Sequence, residues 1–295
     1  MRFATVEFEA VERPAVIDGV DVVLLPEGWS DLASVIEGGQ PAIDSIRTAL
    51  PELRRVLIDE VRLVAPIRRF RRDILCTGWN YWDHFYESKG KREGQDVDPP
   101  SQPTFFGKAP GTAIGPYDDI AYDPNLSRQW DYEAEVAVVI GWRGRSIPEE
   151  KALDHVWGYT LANDVSLRDV QRAHGGQWLK GKSIDQTMPL GPWIVTPDEL
   201  GDPQNVRLEC LVNGELRQSA STAEMAFSIA RLISELSFGM TLYPGDVLLT
   251  GTPSGIGNAR DPQLFLQDGD EVVVRAEAIG ELCNHVTRAP LAEPS

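Results

Sequence analysis

Glu133-Ala134-Glu135 places two carboxylates two residues apart, the spacing at which both point to one face of a β-strand. An isolated pair of this kind most often belongs to a solvated polar stripe. The run that follows, Val136-Ala137-Val138-Val139-Ile140, is apolar on both faces, as in a strand buried on both sides. Two like charges at the mouth of such a strand repel each other and are costly to desolvate unless a cation neutralises them. Carboxylate oxygens with no Cys or His beside them suit Mg²⁺, Mn²⁺ or Ca²⁺ better than zinc.

A third ligand is then needed. Tyr159 to Asp164 is a second largely apolar run ending in an acid, although Asp164 could equally cap a helix beginning near Leu167. His84 and Glu87 lie at i and i+3, where they share a helical face and can hydrogen-bond. A carboxylate behind an imidazole orients it and supports its protonated form, as a general base for water requires; the bland alternative is a surface pair. Gly176 to Ser183 fits the P-loop pattern literally, but no apolar strand precedes it and prolines soon follow, so the match carries nothing. Lys182 within it is either a cation in a pocket or simply exposed. Thr250-Gly251-Thr252-Pro253-Ser254-Gly255-Ile256-Gly257 follows a strand, where its N–H groups could receive an oxyanion or merely form a tight turn. There is no G-x-S-x-G elbow for a serine nucleophile.

The elements that must position these groups are mostly strands. Short β-like runs punctuated by Gly and Pro recur at 135–140, 193–196, 207–212, 246–249 and 271–274. Helical patterns are fewer, at 83–89, 147–154, 167–174 and 228–236. Without regular βαβ alternation this is a β-rich α+β fold, a sandwich or roll rather than a doubly wound sheet. Residues 1–65 read as a small N-terminal α+β domain, 70–288 as the catalytic domain and 289–295 as a flexible tail; Arg68 to Arg72 reads as a solvated basic linker. The balance of 28 Lys+Arg against 45 Asp+Glu, a net charge of −17, disfavours nucleic acid and anionic membrane as partners. It also means that an anionic substrate needs a local positive charge. Three widely spaced cysteines suggest neither disulfides nor a thiolate metal site. The absence of a leader or spanning segment points to the cytoplasm.

Taken together, the segments resemble the fumarylacetoacetate hydrolase family from about Leu75 to Val286. The stretches that carry the likeness are Asp131 to Gly141, Gly158 to Gln171, Lys180 to Ser183 with Pro189 to Pro192, Val212 to Glu215, and Leu242 to Pro253. The resemblance implies a mixed β-sandwich roll, commonly dimeric. It implies a magnesium site at Glu133, Glu135 and Asp164, a water-activating His84–Glu87 pair on a mobile lid, an active-site Lys182, and substrate contacts at Gln171 and Thr252. The implied activity is that of the acylpyruvase-like branch: metal-dependent hydrolysis of a C–C bond in a 2,4-diketo acid such as fumarylpyruvate. Decarboxylation of oxaloacetate, or isomerisation or hydration of a keto acid, is the alternative at the same site; a non-catalytic keto-acid-binding protein would not need the His84–Glu87 pair. Leu167 and Gln186 depart from the family pattern and are expected to flank the pocket.

Overall fold

The computed structural model describes residues 1–90 and 98–292. Residues 91–97 of the expected catalytic domain and 293–295 of the expected tail lie outside them.

The strand Ala134–Ile140 is buried along its whole length, as its two-sided apolar run requires. It pairs antiparallel on one side with Val156–Asn163 and on the other with Val247–Leu249. Alternation sends Val136, Val138 and Ile140 into one core, and Ala137 and Val139 into a second core on the opposite face. From edge to edge the main sheet path is Arg55–Leu57, Asp21–Leu24, Val11–Asp18, Arg2–Phe8, Met188–Val195, Val156–Asn163, Ala134–Ile140, Val247–Leu249, Ile74–Gly78 and Thr104–Lys108. A second sheet, Glu215–Ser221, Arg207–Val212, Glu271–Ala276, Gly280–Arg288 and Ile120–Tyr122, closes over the first core. The result is the strand-rich α+β architecture expected from the sequence.

Residues 1–65 contribute their strands directly to the long sheet, through pairing of Arg2 with Val195 and Phe3 with Ile194. Phe3 also packs on Trp157, ring centroids 4.8 Å apart, and the helices Leu32–Glu37 and Gly39–Ala49 bury their apolar sides in that same core. Arg68 to Arg72 is more than a solvated linker. Arg69 pairs with Asp31 and Glu37, and Arg72 Nε lies 3.1 Å from the buried Asp246 carboxylate. Of the tail expected to be flexible, Ala289 N–H donates to Tyr122 O and Ala292 N–H to Asp123 Oδ2.

The helix expected at 147–154 is instead a 3₁₀ segment, Glu149–His155. Pro148 starts it, and Ala152 alone is buried, so no apolar stripe exists to hold an α-helix against the core. Ile229–Ser237, by contrast, buries Ile229, Leu232, Ile233 and Leu236 at helical spacing, and Ser228 caps it by accepting from Arg231 N–H. No helix among the described residues is long and apolar enough to cross a membrane.

Because Phe3 ties the N-terminal strands to the central core, Phe3→Ala should cost about 3–5 kcal/mol in a urea melt, in a single transition with unchanged slope. An unmoved midpoint would show that residues 1–65 melt apart from the rest.

Candidate functional site

Glu133 and Glu135 stand at the start of the doubly buried strand, and Asp164 follows the end of its neighbour Val156–Asn163. The register pairs Ala134 with Asn163, and Asp164 N–H donates to Glu133 O at 2.8 Å. The three acids therefore meet because two adjacent strands end side by side. They offer ligand oxygens all within 4.8 Å of one another, and all three are buried. Asp164 could have been a helix cap; its carboxylate instead faces two lysines.

Lys182 Nζ donates to Glu133 Oε2 at 2.6 Å and to Asp164 Oδ2 at 2.7 Å. Arg168 donates from Nη2 to Glu133 Oε1 (2.6 Å) and from Nε to Asp131 Oδ2 (2.8 Å). Lys108, fully buried, lies 2.9 Å from Asp164 Oδ1 and donates to the backbone carbonyls of Val165 and Lys182. Lys108 and Arg168 are not among the candidates singled out from the sequence. Lys108 does end an aromatic run, Phe105-Phe106-Gly107-Lys108, which is the same signal that picked out Asp164.

These cations are shared unequally. Burial alone would raise the Glu133 carboxyl, but Lys182 and Arg168 outweigh it and hold it down to about 2. Glu135 is different. Burial, reinforced by Asp164 and Glu133, pushes its carboxyl well above the usual range. Its Oε2 accepts from Gly251 N–H at 2.5 Å, and no Lys or Arg among the described residues is ion-paired with it. A buried carboxylate cluster with one member lacking a cation could hold a metal ion, and hard oxygen donors fit a hard divalent one.

The glycine-rich loop does receive oxyanions, but they are the chain's own. Gly251 N–H goes to Glu135, Gly255 N–H to Glu87 Oε2 (2.8 Å), and Gly257 and Asn258 N–H to Asp131. Glycine is required at Gly251, whose φ is +97° and whose added Cβ would lie 2.7 Å from Asn80 Cβ. Asn80 fixes the same loop by donating to Thr250 O.

His84 and Glu87 sit on the short helix Trp82–Glu87, with Nδ1 2.8 Å from Oε1. Since Glu87 also accepts from Gly255, it clasps this helix to the loop over the acids. His84, Gln171, Lys182 and Thr252 all line the same small space as Glu133 and Glu135. Gln171 accepts from Arg168 Nη1, and Thr252 Oγ1 accepts from the buried Gln218. Trp79, Trp178 and Phe106 form an edge-to-face aromatic wall. Leu167 and Gln186 do not flank this space: Leu167 is buried in the core, and Gln186 is exposed on a left-handed turn at φ 58°.

Metal binding requires Glu135 as an anion, so an ion must displace any proton that the raised Glu135 holds. Affinity for Mn²⁺ or Mg²⁺ should therefore rise with pH, and calorimetry in buffers of different ionisation enthalpy should detect proton release. Glu135→Gln should weaken binding by about 100-fold or more while leaving the apo fold intact. Equal affinity in the variant would remove Glu135 from the ligand set.

Residues 73–287 match the family model described as fumarylacetoacetate (FAA) hydrolase C-terminal. The chain is 43% identical over 257 residues to a mitochondrial oxaloacetate tautomerase of Bos taurus, covering 86% of this chain and 79% of the relative. It is 44% identical over 229 residues to the oxaloacetate tautomerase of Bacillus subtilis, covering 78% and 74%. Among solved structures it is similar to a fumarylacetoacetate hydrolase of Exiguobacterium antarcticum, with a TM-score of 0.84 and 39% identity over 98% of this chain and 100% of that one. It is also similar to a maleylpyruvate hydrolase of Sphingobium determined with manganese(II) and pyruvate, with a TM-score of 0.80 and 28% identity over 98% and 100%. With this coverage, and with the buried acids meeting where the family motifs fall, the chain belongs to the fumarylacetoacetate hydrolase family and is an enzyme of it.

Proposed function

We propose that the protein interconverts the keto and enol forms of oxaloacetate, or of a closely similar four-carbon 2-oxo acid. The observation that carries this reading over C–C hydrolysis of a larger diketo acid is the size of the cleft. The space beside the acids admits the centre of a water-sized sphere over only about 30 Å³, and the space adjoining it over about 40 Å³. A space this narrow leaves less room for a long acyl chain than for a short acid. Similarity to oxaloacetate tautomerases supports the same choice.

Glu133, Glu135 and Asp164 would hold Mg²⁺ or Mn²⁺, which when bound supplies Lewis acidity to the carboxylate and 2-oxo oxygens of a chelating acid. The proton transfers fall to the chain. Glu87 keeps the proton of His84 on Nδ1, so Nε2 is the basic nitrogen. His84 takes a proton from C3; the C–H electron pair becomes the C2–C3 double bond, the carbonyl pair moves to the 2-oxygen, and that oxygen takes a proton from solvent as His84 releases its own to solvent. Lys182 uses two of its three N–H donors on Glu133 and Asp164. The third can meet the negative charge that develops on the substrate oxygen. Trp79, Trp178 and Phe106 give the space an aromatic wall.

The test follows the ultraviolet absorbance of enol-oxaloacetate with added Mg²⁺ or Mn²⁺, and again with chelator. Ketonisation should exceed the spontaneous rate only with the ion. His84→Ala should lose about 10²–10⁴-fold in rate while binding the ion as before. No acceleration of ketonisation, together with cleavage of an acetylpyruvate-type diketo acid, would return the hydrolase reading.

A further inference from the structure

The space beside the acids continues into a second one, and Trp79, His84, Arg168, Gln171 and Trp178 line both, so they are two halves of one cleft. The outer half runs on to Ile256 and Asn258. An acid held by its carboxyl end beside Glu133, Glu135 and Asp164 would fill the inner half, and any atoms beyond C3 would pass toward the outer one. We infer that Trp79, in the wall common to both halves, sets the length of the 2-oxo acid that the cleft accepts. This rests on the keto–enol reading of the inner half.

Three of the five shared residues are bound into the network around the acids. His84 is tied to Glu87, Arg168 to Asp131 and Glu133, and Gln171 to Arg168. Trp178 is seated on the backbone: a Cβ added to Gly78 would lie 2.1 Å from its ring, so the indole occupies space that only a glycine leaves open. Trp79 continues the wall. An edge-to-face row begins at Phe106, whose ring centroid lies 5.1 Å from Lys182 Nζ, and passes to Trp178 at 5.1 Å. From there it reaches Trp79 at 4.8 Å and Phe85, the residue after His84, at 5.8 Å. Trp79 is therefore the link between the lysine side of the cleft and the helix that carries His84.

The backbone singles out the same residue. Trp79 has φ 56°, in the left-handed region where a bulky side chain is strained. Its neighbours hold it there. The strand Ile74–Gly78 ends immediately before it. Asn80, immediately after it, donates from Nδ2 to Thr250 O (2.8 Å) and Phe227 O (3.1 Å) and accepts from Phe227 N–H (2.9 Å). A glycine would take this φ without strain and would leave the volume of the indole to the cleft. The chain keeps a tryptophan, the bulkiest of side chains, at a position whose backbone disfavours it. A methylene that a pocket cannot seat costs roughly tenfold in specificity, so an indole here is enough to decide chain length.

The experiment follows exchange of C3 hydrogens in D₂O by NMR on Mg²⁺-loaded protein, for oxaloacetate and for the series 2-oxobutyrate, 2-oxopentanoate and 2-oxohexanoate. In the wild type kcat/KM should fall about tenfold or more from 2-oxobutyrate to 2-oxohexanoate. In Trp79→Gly the two acids should come within about threefold of each other, with Trp79→Phe between the two proteins. Mn²⁺ affinity, measured by calorimetry, should be the same in all three. A wild type indifferent to chain length, an altered Mn²⁺ affinity, or a variant that loses rate equally for every acid would overturn the assignment; equal loss is what a purely packing role against Phe85 predicts. If the wild type exchanges none of these acids, the keto–enol reading fails on its own. Calorimetric binding of the same series to wild type and Trp79→Gly then decides the question of length: a gain for 2-oxohexanoate over 2-oxobutyrate upholds Trp79, and an unchanged preference overturns it.

Discussion

Four carboxylates, Asp131, Glu133, Glu135 and Asp164, and three cations, Lys108, Arg168 and Lys182, are taken out of water along one wall of this protein. Ions in an apolar interior survive only if they are matched and hydrogen-bonded, and here the match falls short by one positive charge. The deficit settles on Glu135, which Asp164 and Glu133 both repel and which has a backbone N–H as its donor. Much of the architecture around the site answers to that shortfall. Two strands end together to bring the acids into reach of one ion, and a glycine loop spends its N–H groups on the chain's own carboxylates.

That expenditure ties the loop to the helix that carries His84. Gly251, Gly255 and Gly257 bond Glu135, Glu87 and Asp131, so the loop is structural to the acid cluster and to the His84–Glu87 helix at once. Glu87 bonds His84 with one oxygen and Gly255 with the other, so the orientation of His84 and the attachment of its helix to the loop depend on the same carboxylate. Any movement that opens the cleft at Gly255 must also loosen the hydrogen-bond network that aims His84. The orientation of His84 and the position of the loop are therefore coupled through one side chain.

Sequence alone determined what depends on local alternation. The two-residue spacing of Glu133 and Glu135, the apolar run behind them and the i, i+3 spacing of His84 and Glu87 follow from strand and helix periodicity, and they were legible before any fold was known. The ordered motifs added Asp164, Lys182, Gln171 and Thr252. Tertiary structure decided which charges answer one another. Lys108 lies 56 residues before Asp164 in the chain yet 2.9 Å from it, and Arg168 reaches Asp131 and Glu133 from a different element. The glycine loop looked like an oxyanion receptor, but only long-range packing revealed that its oxyanions are Glu135, Glu87 and Asp131. Leu167 and Gln186 looked like pocket residues because they neighbour motifs in sequence, but they turn away from the cleft. The physical reason is common to all of these. Periodicity says which side of an element a group occupies; the partner that neutralises a buried charge comes from wherever the chain folds back, and that distance is not written in local spacing.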